Sequence, residues 1–282
     1  MTTLLNHALS AASTGAPPDP TAKTQRPATL LVAGAGGPLG SAVLEHLLAG
    51  RRFAGVRVLV TQALQASVNG LETLIVAPFD DGGDTGDRGD SGAAPIFPAI
   101  ADTALIVFDV KRHANGREEA FLRPEPRTLP RLAGWLRACG VRDLVVVMPH
   151  NAASLPQALK AGLADLDEHA VVELGFEHVV FVRSARMPVG ARSNEWLQRV
   201  ADGVLAQLRM MTPQADQPVR SNKVAQFVSE LALQLPRSTP GTRVAAPELV
   251  WQAAQHADAS ALVRAWLAGE ALPAASAKRM RL

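Results

Sequence analysis

Residues 30–40, LLVAGAGGPLG, run from an apolar stretch into a glycine turn and straight into helical spacing. Leu30–Ala33 read as a strand buried on both faces, because the run is continuously apolar rather than alternating. Leu39, Val43, Leu44, Leu47 and Leu48 then recur at helical spacing, and Gly50 is the expected stop. A strand that passes through so short a turn into a helix leaves the helix N-terminus beside the strand's carboxyl end. The chain that follows must return across the sheet to continue it.

The pattern repeats. Val56–Val60, Thr73–Ala77, Ala104–Val110, Leu144–Met148 and Val179–Val182 are strand candidates. Helical stripes fall at Leu129, Leu132, Leu136 and Cys139, and again from Leu155 through Leu159, Leu163, Leu166 and Ala170 to Leu174. Such alternation predicts an α/β doubly wound parallel Rossmann sheet over 29–190. Residues 1–28, rich in Ala, Ser, Thr and Pro, are expected to be a disordered tail. From about 190 the spacing is helical, with Trp196, Leu197, Val200, Val204 and Leu208 on one stripe. Ser221 or Asn222 is placed to cap the next, which carries Val224, Phe227, Val228 and Leu231. A last segment holds Ala261, Leu262, Ala265 and Trp266. Residues 191–282 are thus expected to form a smaller helical, substrate-side part packed on the sheet.

Of the 282 residues, 48% are hydrophobic and 19% charged, which is ample for a core. A net charge of +2 gives no electrostatic case for nucleic acid. No apolar stretch reaches the roughly 20 residues of a membrane span. The one cysteine, Cys139, lies on an apolar stripe and reads as a buried thiol; with no basic leader, this fits a cytoplasmic protein.

The glycine loop is the strongest chemical signal. Gly34, Gly37 and Gly40 are spaced by three, with Gly36 in addition, between a strand and a helix. The first permits a tight turn, the middle ones let backbone approach a pyrophosphate, and the last lets the helix pack close. Pro38 suits a first helical turn, and the N–H groups that follow, from Leu39 on, offer an anion site. The expected ligand is a dinucleotide, NADP or NAD, with the preference unspecified: the second strand ends in Val60, Thr61 and Gln62, with neither an acid for ribose hydroxyls nor an Arg for a 2′-phosphate. Thr61 and Gln62 are ribose candidates or a helix start. Asp80 is an adenine candidate or a loop carboxylate.

These stretches, with LRACGVRDLVVV (136–147), ELGFEHVVFVRS (173–184), VGAR (189–192) and KVAQFVSELAL (223–233), give the chain a resemblance to atypical short-chain dehydrogenases. It is similar to the branch of the Tat-interacting tumour-suppressor protein and, more distantly, to NmrA-like redox sensors. The resemblance implies an NAD(P)-binding fold and a catalytic Ser, Tyr and Lys. In that alignment Met148, Lys160 and Ala164 stand at the three positions, and the chain contains no tyrosine at all. Phe108 and Asp109 replace a small turn beside the nicotinamide ribose, so the pyrophosphate end reads as intact and the reactive end as remodelled.

His150 and Lys160 are the candidates for a substitute acid; a loop His and a solvated Lys are the alternative. Arg183, after the sixth strand, is a candidate for a phosphate or carboxylate, or for a structural salt bridge. Asp81, Asp84, Asp87 and Asp90 lack the spacing of an EF-hand, and no metal site is expected. Three functions follow. The leading one is a dinucleotide-binding sensor, regulator or scaffold without the usual catalytic set. The others are an oxidoreductase with a substitute acid, and an interaction protein that has lost its cofactor. A further small-molecule or protein partner is left unspecified. Trp196, Trp251 and Trp266 are candidates for a homodimer interface or for core.

Overall fold

The computed structural model describes residues 28–64, 69–79, 99–109, 117–150, 166–185, 219–256 and 258–273. The strands are β1 (Thr29–Ala33), β2 (Gly55–Val60), β3 (Leu71–Ile75), β4 (Thr103–Val107), β5 (Asp143–His150), β6 (His178–Ala185) and β7 (Gly241–Ala245). The helices are α1 (Pro38–Gly50), α2 (Leu129–Ala138), α3 (Leu166–Glu173), α4 (Ser221–Gln234), α5 (Pro247–Gln255) and α6 (Ser260–Ala268). The strands form one sheet in the order β3-β2-β1-β4-β5-β6-β7, parallel at every pairing. This is the doubly wound Rossmann arrangement with a seventh strand added beside β6.

Both faces of the sheet are covered, which is why its central strands are apolar at every position rather than at alternate ones. Leu30 and Val32 of β1 face one layer with Leu105, Val145 and Val180, under Val43 and Leu47 of α1 and Phe227 and Leu231 of α4. Leu31 and Ala33 face the other, with Ile106, Val146 and Phe181, under Leu132 and Leu136 of α2 and Val171 of α3. Each fully buried Leu, Val or Phe contributes about 1.5–3 kcal/mol, so the two clusters dominate the folding energy.

The sheet differs from expectation at its two edges and at β4, which stops at Val107 and leaves Phe108 and Asp109 beyond the strand instead of in it. β3 runs over Leu71–Ile75 instead of Thr73–Ala77 and is only partly covered, because it pairs on one side alone. The segment after 190, expected to be helical, also supplies β7, which pairs Gly241–Ala245 with His178–Val182. Its sequence, GTRVA, has too few apolar residues to announce a strand; the backbone partner on β6 makes it one. At the end of α1 the left-handed position is taken by Arg51, at φ 45°, one residue past Gly50.

At the amino edge of the sheet, Asp143 and His178, the first residues of β5 and β6, are buried together. His178 Nδ1 lies 2.6 Å from Asp143 Oδ1, and Thr103 Oγ1 donates to Asp143 Oδ2 at 3.3 Å. The other ring nitrogen, Nε2, lies 3.2 Å from the Ser238 carbonyl, which can only accept, so Nε2 carries a proton. Burial pushes the Asp143 carboxyl above its ordinary range, against the opposing pull of His178. Glu177 lies close to the same pair, but both ring nitrogens of His178 are already engaged.

Candidate functional site

The chain leaves β1 and β4, neighbours in the sheet, toward opposite faces: β1 feeds α1 on one face and β4 leads to α2 on the other. Doubly wound sheets keep a crevice outside the carboxyl ends of such a strand pair, and ligands bind there. The glycine loop lies in it, and its glycines have separate structural reasons. Gly34 has φ +91°, a region that side chains with a Cβ avoid, and a Cβ there would overlap the Val107 carbonyl oxygen and stand 3.2 Å from Pro124 Cδ. A Cβ on Gly40 would come within 2.9 Å of Ala35 Cα, so this glycine lets α1 press against the turn that starts it. A Cβ on Gly37 would stand 2.7 Å from the Cβ of Asp109 and overlap its carboxylate. Gly36 lies in the turn itself.

The roles expected of the first and last glycines therefore hold, and the middle one does admit a close approach by an anion. That anion is part of the chain. Asp109, two residues beyond β4, accepts hydrogen bonds from the backbone N–H of Leu39 and of Gly40, the latter at 3.0 Å, both on Oδ2. The first N–H groups of a helix have no partner in its own ladder. Here Pro38 has no N–H and Ser41 N–H already bonds the Gly37 carbonyl at 2.8 Å. Leu39 and Gly40 are the donors left in the first helical turn, and one carboxylate oxygen takes both. The helix dipole favours the same charge at this end.

Asp109 thus caps the first turn of α1, whereas the sequence reading puts its charge at a nicotinamide end. Phe108, expected to crowd a ligand, instead points into the core beneath α2 and is 4% exposed. Its N–H donates to the Val147 carbonyl at 2.9 Å, which fixes the backbone from which Asp109 projects.

The carboxyl end of β2 is engaged as well. Thr61 N–H donates to the Ala120 carbonyl at 2.7 Å, and its hydroxyl lies 3.2 Å and 3.3 Å from the carbonyls of Glu119 and Ala120. Leu122 N–H donates to the Leu59 carbonyl at 3.0 Å, and Val60 bridges Phe121 in antiparallel sense. A cleft of about 200 Å³ remains here, lined in part by Thr61, Phe79, Phe121 and Glu125. Gln62 is exposed beside it.

Arg183 does not face the crevice. It is 2% exposed and pairs with Glu168 of α3, itself 1% exposed, at 2.7 Å. Odd-numbered residues of β6 face α2 and α3, so the strand's pleat directs Arg183 away from the glycine loop. Of the salt-bridge and anion alternatives, the salt bridge is what forms. His150 ends β5 opposite Ala185, so its backbone is at the carboxyl edge. Asp80 and Lys160 lie outside the described residues. Cys139 is 2% exposed, as its stripe implies, and burial pushes its thiol up.

The residue whose place the sequence does not show is Asp109. The available signal was topological: an acid just past the strand that neighbours β1 must emerge beside the first turn of α1.

No family model matches the chain, and no curated protein matches it. Several solved structures are similar over most of its length. One is a short-chain dehydrogenase/reductase superfamily protein from Agrobacterium tumefaciens with bound NAD, 19% identical, covering 87% of this chain and 84% of that one, with a TM-score of 0.43. Another is the Bordetella bronchiseptica enzyme WbmG in complex with NAD and UDP, 13% identical, covering 89% and 82%, with a TM-score of 0.43. A third is the UDP-N-acetylglucosamine 4-epimerase of Bacillus cereus, 13% identical, covering 77% and 75%, with a TM-score of 0.40. Among the described residues no helix is long and apolar enough to cross a membrane.

Proposed function

We propose that this chain is a dinucleotide-binding protein of the short-chain dehydrogenase type that uses NAD(P)(H) as a signal or structural ligand rather than as a hydride carrier. The observation that carries the reading is the seat formed by Leu39 and Gly40 at the start of α1, which holds an anion, the Asp109 carboxylate. A pyrophosphate asks for the same thing: unpartnered N–H groups, a positive helix end and a position with no Cβ. Gly34, Gly37, Leu39 and Gly40 are the residues that would hold it. The bound nicotinamide would supply hydride chemistry if a substrate were protonated beside it. The chain has no tyrosine to do so, and Met148, at the place the resemblance gives to the catalytic Ser, has no proton to donate.

The test is calorimetric titration of the purified protein with NADH and NADPH, beside an assay of NAD(P)H oxidation with a panel of carbonyl compounds. Saturable binding without turnover supports the reading; robust turnover removes the non-catalytic part of it, and absence of binding removes the whole.

A second reading, an interaction protein without cofactor, draws on the same two contacts: Asp109 on the loop, and Glu119–Leu122 bonded along the end of β2. On that reading both contacts are permanent, and no dinucleotide binds under any substitution of Asp109.

A further inference from the structure

The seat for an anion and the anion that fills it belong to one chain, and this has a consequence for ligand affinity. Both N–H groups that α1 has to offer, Leu39 and Gly40, converge on one oxygen of Asp109. The space left by the missing Cβ of Gly37 is taken by the Asp109 side chain from its Cβ outward. A phosphate oxygen cannot share these donors, and a second negative charge placed against the carboxylate is repelled. Asp109 is also no incidental visitor. Its backbone follows Phe108, which is buried in the core and bonded to Val147 of β5.

We infer that Asp109 is an internal competitor for the pyrophosphate seat: the chain binds a dinucleotide only in the fraction of molecules whose Asp109 carboxylate has left Leu39 and Gly40. This rests on the proposed dinucleotide site and adds the residue that sets its affinity. An apparent dissociation constant is the intrinsic one divided by the competent fraction. A carboxylate cap on a helix N-terminus is worth enough to hold that fraction to between about a third and a thirtieth. Removing the carboxylate should tighten binding by the same factor. It should also lower the melting temperature of the ligand-free protein, because α1 loses its cap. A purely structural Asp109 would show only the second effect.

The experiment compares the wild-type chain with Asp109→Ala and Asp109→Asn, titrating NADH, NADPH and inorganic pyrophosphate by calorimetry, with circular dichroism to establish the fold of each. Pyrophosphate reports on the seat alone, whereas the dinucleotides also need the end of β2. The expected result is binding tightened about three- to thirtyfold in Asp109→Ala, with Asp109→Asn between it and wild type, while ligand-free melting falls in the same order. Binding by Asp109→Ala where wild type shows none supports the competition but removes the reading that the native chain uses a dinucleotide. Equal affinity in wild type and Asp109→Ala overturns it and leaves the dinucleotide site standing. Weaker binding in the variants also overturns it, since Asp109 would then be a ligand contact. No binding by any of the three proteins overturns both the inference and the site on which it rests.

Discussion

The carbonyl carbon of Val107, the last residue of β4, lies 3.0 Å from the point where a Cβ on Gly34 would stand, and the carbonyl oxygen closer still. The turn after β1 is therefore packed against the backbone of its neighbour strand, with no flexible side chain to give way. Gly34→Ala should cost about 3 kcal/mol or more, from left-handed strain and backbone displacement together. For a chain of this size that is a fall of roughly 6–12 °C in melting temperature. A loss below 1 kcal/mol in urea unfolding would show that the turn can relax and that the contact is not rigid.

Arg183 and Glu168 form a pair with almost no access to water. Arg183→Met alone should destabilise by about 3–5 kcal/mol, since it leaves Glu168 buried without its guanidinium. The double variant Arg183→Met/Glu168→Leu should recover much of that loss. A double-mutant cycle with no coupling energy would mean that the two residues act independently of each other.

Burial raises the Asp143 carboxyl above its usual 3.8, with His178 opposing the rise. The folded state thus holds this proton more tightly than the unfolded chain. The stability that comes from it is fully present below about 3.8 and is lost as pH rises through the folded value. Asp143→Asn should flatten that part of the stability–pH curve. Curves of wild type and variant that run parallel above pH 3.8 would contradict the assignment.

Cys139, directly after α2, is buried, and its thiol is raised above 9.0 by that burial. Thiolate is the reactive form, so native protein should react with iodoacetamide far more slowly than urea-unfolded protein at pH 8. Equal rates would place the thiol at the surface.

The interior strands were legible because they are buried on both faces. Leu30–Ala33 and Val179–Val182 are apolar without interruption, and only a covered parallel sheet calls for that. β7 was not legible, since GTRVA becomes a strand through its backbone partner at His178–Val182. The glycine loop was readable in place, with the tight turn at Gly34 and the close packing at Gly40, but what lies against Gly37 was not. In the sequence Phe108 and Arg183 look like site residues because each lies near a strand's carboxyl end. The pleat sends the Arg183 side chain, and the core packing sends the Phe108 ring, to the α2–α3 face.

By itself the sequence determined the order of βα units, the turn that opens α1 and the absence of any tyrosine that could act as an acid. Each of these is local: a periodicity, a spacing or a residue type. Only the tertiary structure decided what occupies the anion seat. Leu39 and Asp109 are 70 residues apart and meet because β1 and β4 are neighbours in register, a relation that the local periodicity of neither segment contains.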